Sequence, residues 1–143
     1  MSDFRQLSDT FLASPQIMLE DLDQAKAQGV TLVVNNRPDG EEPSAPQGDE
    51  IAQAAAKAGL DYLAIPIGHS GFSEVQVDQL IEALGASEGK VLGYCRSGTR
   101  STLLWSLAQA KLGTAPDAIA AAASAAGYDV SPVRPMLDML ASR

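Results

Sequence analysis

Cysteine is nearly absent from this chain: of 143 residues, only Cys95 carries a thiol. That excludes an internal disulfide framework and a cysteine-based zinc site. A single thiol kept free suits a reducing cytosol. Basic residues are also scarce, with 10 Lys and Arg against 18 Asp and Glu and a formal net charge of -8. Such an acidic surface argues against nucleic acid and against an anionic membrane as partners. No apolar run approaches the ~18 residues that a membrane-spanning helix needs. The start, Met1-Ser2-Asp3-Phe4-Arg5, lacks the basic segment and apolar run of a signal peptide, so a cytoplasmic location is expected. There is no repeat of fixed period, and the one compositional bias is the alanine-rich stretch at 118–126.

What remains is ordinary globular composition, 45% hydrophobic and 20% charged. The length suits one domain spanning 1–143 with a full core. Short alternating runs on either side of Ser8-Asp9-Thr10 predict an opening hairpin or a pair of edge strands. A helix is expected over Leu19–Gln28, with Leu19, Leu22 and Ala25 on one face and Gly29 as its stop. The β-branched run Val30–Val34 reads as a buried strand, followed by a loop rich in turn residues, Asn35 to Pro43. A second helix runs from about Asp49 to Ala58. A strand follows over Tyr62–Ile67, with Pro66 marking its end or a sheet edge. Ser73 opens the next helix, with Gln76 completing a capping box. After the strand Lys90–Tyr94 comes a helix over Ser101–Lys111, then one opened by Pro116 and a short last one over Pro132–Ser142. Strands alternating with helices predict a mostly parallel sheet flanked by helices.

The residues with the most chemistry lie between strand and helix, in Tyr94-Cys95-Arg96-Ser97-Gly98-Thr99-Arg100-Ser101. Gly98 and the small hydroxyl residues let the backbone curl so that several N–H groups face one point. That point also feels the positive end of the following helix. A thiol there becomes a nucleophilic thiolate, with an anion held in front of it in the manner of a P-loop. Cys95 is thus the candidate nucleophile. A cation at a helix N-terminus is unfavourable without an anion to meet it, which makes Arg100 the candidate anion clamp. Arg96, Ser97, Gly98, Thr99 and Ser101 complete the candidate anion cradle, and Ser101 is expected to cap the helix and hydrogen-bond the thiolate. Ligands in open α/β sheets bind at the carboxyl ends of the strands. That rule brings Arg37 and His69, on two other strand-ending loops, within reach of Cys95. Arg37 has Asp39, Glu41 and Glu42 as alternative partners, and His69 is the chain's only imidazole.

Cys95 through Ser101 resembles two kinds of cysteine loop. Protein tyrosine and dual-specificity phosphatases place five residues between Cys and Arg, whereas rhodanese-like sulfurtransferases have a shorter Cys-Arg-x-Gly-x-Arg-Ser loop. Four residues separate Cys95 from Arg100. Over nearly the full length, Asn35-Asn36-Arg37-Pro38-Asp39-Gly40-Glu41, Pro66 and the cysteine loop together are similar to the bacterial beta-lactamase hydrolase-like protein, phosphatase-like domain family. The resemblance implies an α/β three-layer fold of the protein tyrosine/dual-specificity phosphatase type. Members of that family carry both sulfurtransferase and phosphatase labels, and some relatives are fused to a metallo-beta-lactamase-fold hydrolase of sulfur metabolism. The sequence contains neither that unit nor the histidines its metal would need, so such a hydrolase is expected as a separate partner.

Loop length and the loop after the preceding strand favour sulfur transfer. Gly68-His69-Ser70-Gly71-Phe72-Ser73 offers no aspartate as general acid, only His69. The short spacing also alters the bidentate clamp that a phosphoryl group requires. In the first reading Cys95 takes up a sulfane sulfur as a persulfide and passes it from a small-molecule donor to an acceptor. The alternative is a phosphatase acting on a phosphorylated substrate through a phosphocysteine. A third reading is a non-catalytic module that binds an anion or a phosphorylated partner. None requires a metal or an organic cofactor.

Overall fold

The computed structural model describes residues 3–68 and 70–142. Its strands are β1 (Arg5–Ser8), β2 (Phe11–Ser14), β3 (Val30–Asn35), β4 (Asp61–Ala64) and β5 (Lys90–Tyr94). The α-helices are α1 (Asp21–Ala27), α2 (Gly48–Ala58), α3 (Glu74–Ala86), α4 (Thr99–Lys111), α5 (Pro116–Ala125) and α6 (Arg134–Ala141), with a 3-10 turn at Ser131–Val133 before the last. The strands form one sheet in the order β1-β2-β5-β3-β4. Only the β1–β2 pair is antiparallel, as its tight turn at Ser8–Thr10 requires. The others run parallel through helical crossovers.

Pleating decides which helices cover which face. Phe11, Ala13, Leu32, Val34 and Val91 point to one side and pack with Leu104, Leu107, Leu80, Ile119 and Leu137 from α3, α4, α5 and α6. Leu12, Val33, Leu92 and Tyr94 point to the other side and meet Leu22, Ala25, Ile51 and Ala55 from α1 and α2. The result is the three-layer arrangement expected from the alternation of strands and helices.

Three of the boundaries that differ from the pattern in the sequence have a clear local reason. Helix α1 begins at Asp21 because the Asp21 carboxylate accepts the Met18 N–H at 2.8 Å, and Leu19 lies 42% exposed ahead of the helix. Strand β4 ends at Ala64, yet the extended chain continues beside β3. The Ile65 and Ile67 N–H groups donate to the Asn35 and Asn36 carbonyls, and Pro66, which has no N–H, falls between them. Helix α4 starts at Thr99, with Gly98 as its N-cap. Rather than showing one apolar face, it is buried at every position from Ser101 to Ala108. Two of its buried hydroxyls bond back to the preceding turn. Thr102 Oγ1 donates to the Gly98 carbonyl and Ser106 Oγ to that of Thr102, both at 2.8 Å. Trp105 is core, stacked on Phe11 with ring centroids 6.2 Å apart.

Close approach between β5 and α4 depends on Gly93. A Cβ there would lie 2.8 Å from Phe11 Cζ and 3.3 Å from Ser101 Cβ. Gly93→Ala is therefore expected to destabilise the fold by about 1–3 kcal/mol, the usual range for overpacking. Urea unfolding monitored by Trp105 fluorescence would measure it, and an unchanged midpoint would contradict the packing described.

Candidate active site

The parallel register aligns four strand ends. Tyr94 pairs with Ser14 on one side and with Asn35 on the other, and Asn35 pairs with Ala64. The segments that leave β2, β3, β4 and β5 thus start from one edge of the sheet, where Cys95 follows β5 directly. The Cys95 N–H donates to the Ser14 carbonyl at 3.3 Å, extending the β2–β5 pairing by one residue. The side chain is fully buried.

From Cys95 the chain turns through Arg96 and Ser97 to Gly98, which has φ 90°. The Gly98 N–H points back at the Cys95 sulfur, 3.1 Å away. Ser97 Oγ donates to Thr99 Oγ1 at 2.9 Å and accepts the Thr99 N–H at 3.3 Å. These bonds close the loop on itself at the N-terminus of α4, where the helix dipole is positive and the first turn holds no acidic residue. Ser101 has a different place from the one expected. It lies inside the helix rather than capping it, and its buried hydroxyl donates to Asn36 Oδ1 at 2.7 Å. Asn36 also donates its N–H to the Tyr94 carbonyl and Nδ2 to the Ile65 carbonyl, both at 2.9 Å. One residue, through its backbone and its side chain, thereby ties the ends of β3 and β5 and the segment after β4 to α4. Asn36 has no charge and no local periodicity to mark it as part of a site. Its only sequence signal is its place in Asn35-Asn36-Arg37-Pro38.

Arg37 and Arg100 meet through a residue the sequence offers only as one alternative partner of Arg37. The Glu41 carboxylate accepts Arg37 Nε at 2.9 Å, Arg100 Nη1 at 2.9 Å and Arg100 Nη2 at 2.7 Å. Hydrogen bonding from Arg100, ahead of that from Arg37, pulls the Glu41 pKa from 4.5 down to about 2. Arg37 Nη1 donates to Gln16 Oε1 at 3.0 Å, and the Gln16 N–H donates to the Arg96 carbonyl at 3.2 Å. Arg37 is thus joined to the cysteine loop from behind. Arg100 Nη1 donates also to the Ile67 carbonyl at 2.9 Å. Glu41 and Ile67 together take both Nη1 hydrogens and one on Nη2. Among the described residues, the Nε–H and the second Nη2–H make no hydrogen bond, and the nearby Cys95 adds to Glu41 in raising the Arg100 pKa.

Arg96 is exposed and, with Arg100, Glu41 and Gly68, lines an open cleft of about 380 Å³. The structure therefore brings Cys95, Arg96, Ser97, Gly98, Thr99 and Arg100 together, with Arg37 and Ser101 one contact away. His69 lies outside the described residues.

Residues 3–112 match the family model for the beta-lactamase hydrolase-like protein, phosphatase-like domain. The chain belongs to this family. A beta-lactamase hydrolase-like protein of Agrobacterium fabrum is 32% identical over 105 residues, which are 73% of this chain but 24% of that protein. The chain thus spans about a quarter of the length of the curated relatives it matches. A solved structure from Neisseria meningitidis, provisionally described as a phosphatase, superposes with a TM-score of 0.86 at 32% identity, covering 98% of this chain and 99% of that one. The active form of Tk-PTP superposes with a TM-score of 0.76 at 21% identity, over 99% and 97% of the two chains, a likeness of fold. The fold is of the phosphatase type, and the protein is a cysteine-based, phosphatase-like enzyme domain. Among the described residues no helix is long and apolar enough to cross a membrane.

The depressed Glu41 pKa fixes the sign of a pH effect. A carboxylate held below its unfolded value adds stability above about pH 4.5, which is lost as the pH falls toward about 2. Glu41→Gln should therefore unfold at lower urea than the parent at neutral pH, by about 1 kcal/mol for a partly exposed ion pair. The difference should shrink as the pH falls through that window. A pH-independent gap would show that the ionised carboxylate is not what holds the two arginines.

Proposed function

We propose that the protein is a phosphatase that works through a phosphocysteine on Cys95. The observation that carries this reading is the orientation of Arg100. Glu41 and the Ile67 carbonyl hold the outer part of the guanidinium. The edge that remains, Nε–H with one Nη2–H, is a bidentate donor for two phosphoryl oxygens beside the sulfur. The short loop thus retains the clamp that its length called into question. The family and the Neisseria neighbour support the same chemistry. The order in which loop length ranks the two chemistries is accordingly reversed.

In this reaction the Cys95 thiolate attacks phosphorus, forming an S–P bond as the bond to the leaving oxygen breaks. The Gly98 N–H, the other N–H groups at the start of α4, and Arg100 take up the charge on the phosphoryl oxygens. Water then attacks phosphorus, the S–P bond breaks, and inorganic phosphate leaves with the thiolate restored. A leaving alkoxide needs a proton, and the described residues of the loop after β4 carry no carboxylic acid to give one. His69 is the group on that loop able to do so. Esters with acidic leaving groups, aryl above alkyl, are the favoured substrates on this account.

Persulfide transfer through Cys95 remains the second reading, favoured by the four-residue spacing between Cys95 and Arg100. A separate hydrolase of sulfur metabolism would be a fitting partner for it.

Turnover of p-nitrophenyl phosphate is expected, inhibited by vanadate and abolished in Cys95→Ser. Arg100→Lys, which loses the fork, should lower kcat by about 10²–10³-fold. Intact-mass measurement after brief exposure to thiosulfate separates the two chemistries. A cyanide-sensitive gain of ~32 Da on Cys95 without any phosphate-ester turnover would replace the phosphatase reading with the persulfide one.

A further inference from the structure

The Ser97–Gly98 peptide is held at both ends. Its carbonyl accepts a hydrogen bond from the Tyr128 hydroxyl at 3.0 Å. Its N–H, on Gly98, donates to the Cys95 sulfur at 3.1 Å. The described chain has no cis peptide bond, and in a trans peptide the C=O and N–H point in opposite directions. Fixing the oxygen therefore aims the N–H. The peptide needs such a hold because glycine, here at φ 90°, gives little steric resistance to rotation.

Tyr128 is itself anchored. It is buried in the cluster that packs against α4, and the Arg5 guanidinium lies 5.0 Å from its ring centroid. Arg5 also donates from Nη1 to the Ala126 carbonyl at 3.4 Å and pairs with Asp3 at 3.1 Å. Burial raises the Tyr128 pKa above its usual 10, so the hydroxyl stays a proton donor at neutral pH. A Cβ on residue 98 would collide with that hydroxyl.

We propose that Tyr128 is a positioning residue for the cysteine loop. Its hydroxyl holds the Ser97 carbonyl away from the sulfur, so that the Gly98 N–H is directed at Cys95 and at the group attached to it during the reaction. The role rests on Cys95 being the nucleophile and deepens the phosphatase reading. Tyr128 acts through the loop and lies beyond residue 112, where the family match ends.

Tyr128→Phe keeps the ring, its packing and its contact with Arg5, and removes only the hydroxyl. In the full chain, iodoacetamide alkylation of Cys95 at about pH 6 reports how well the thiolate is stabilised. The variant should alkylate about three- to tenfold more slowly, the worth of one neutral hydrogen bond. The kcat for p-nitrophenyl phosphate should fall by a similar factor, with KM moving by less than about twofold. Alkylation within about twofold of the parent would overturn the proposal, whatever happens to kcat or to the melting temperature. Arg5→Gln retains the hydroxyl and loosens the ring, so it should slow alkylation less than Tyr128→Phe. Equal or greater slowing would mean that ring packing sets the loop, and would also overturn the proposal. A parent that turns over no phosphate ester, with Tyr128→Phe still slowing alkylation, would sink the phosphatase reading and leave the positioning role standing.

Discussion

A helix enclosed by a sheet and three other helices can show its unpaired backbone groups to the outside only at its ends. This is the condition that α4 imposes on the molecule. Its first N–H groups have no partner within the helix, and they emerge where β5 delivers Cys95. Sulfur takes one loop N–H, from Gly98, and Ser97 Oγ takes that of Thr99; a bound anion is the natural complement to those that follow. The left-handed Gly98 and the self-closing Ser97–Thr99 bonds hold the loop in the shape that makes this possible.

Charge is arranged against the background of the whole protein. In a chain with net charge -8, two arginines converge on one carboxylate at the mouth of the site. Glu41 does more than neutralise them. By gripping the outer end of the Arg100 guanidinium it leaves the other edge free and restricts a long side chain that would otherwise have to be ordered by substrate. Part of the cost of organising the anion site is thus met during folding, by residues on β3's trailing loop.

Much of this was legible in the sequence. The strand-to-helix loop, its cysteine and its arginine stand out because a buried strand, a turn glycine and a helix with an unmatched cation at its start follow one another. The parallel sheet followed from the β-branched runs and the helices between them, and with it the convergence of the loops after β3, β4 and β5. Side chains that act on those loops from a distance were harder to read. Asn36 is polar, uncharged and buried, and its importance comes from three partners on separate segments. Glu41 stood among several acids in its loop, and only the folded geometry selects it. Ser101 looked like a cap because helix boundaries are soft at the sequence level. Tyr128 sits in a stretch with no motif at all, and only the path of the chain over α4 returns it to residue 97. The preference for sulfur chemistry came from the missing aspartate on the Gly68–Ser73 loop and from counting residues between Cys95 and Arg100, a count that says nothing about the direction in which a guanidinium is turned.

Helices α5 and α6 lie past the segment matched by the family model, yet they are continuous with the core beneath the sheet. Ile119, Ala123, Val133, Leu137 and Leu140 share one cluster with Leu103, Leu104, Trp105 and Leu107 of α4. The recognisable segment and the cooperative folding unit are therefore different lengths of chain. A fragment cut at Leu112 would carry every residue of the cysteine loop while exposing the apolar flank of the helix that supports it. For dissection, fusion or transplantation of this site, the useful boundary is the end of α6.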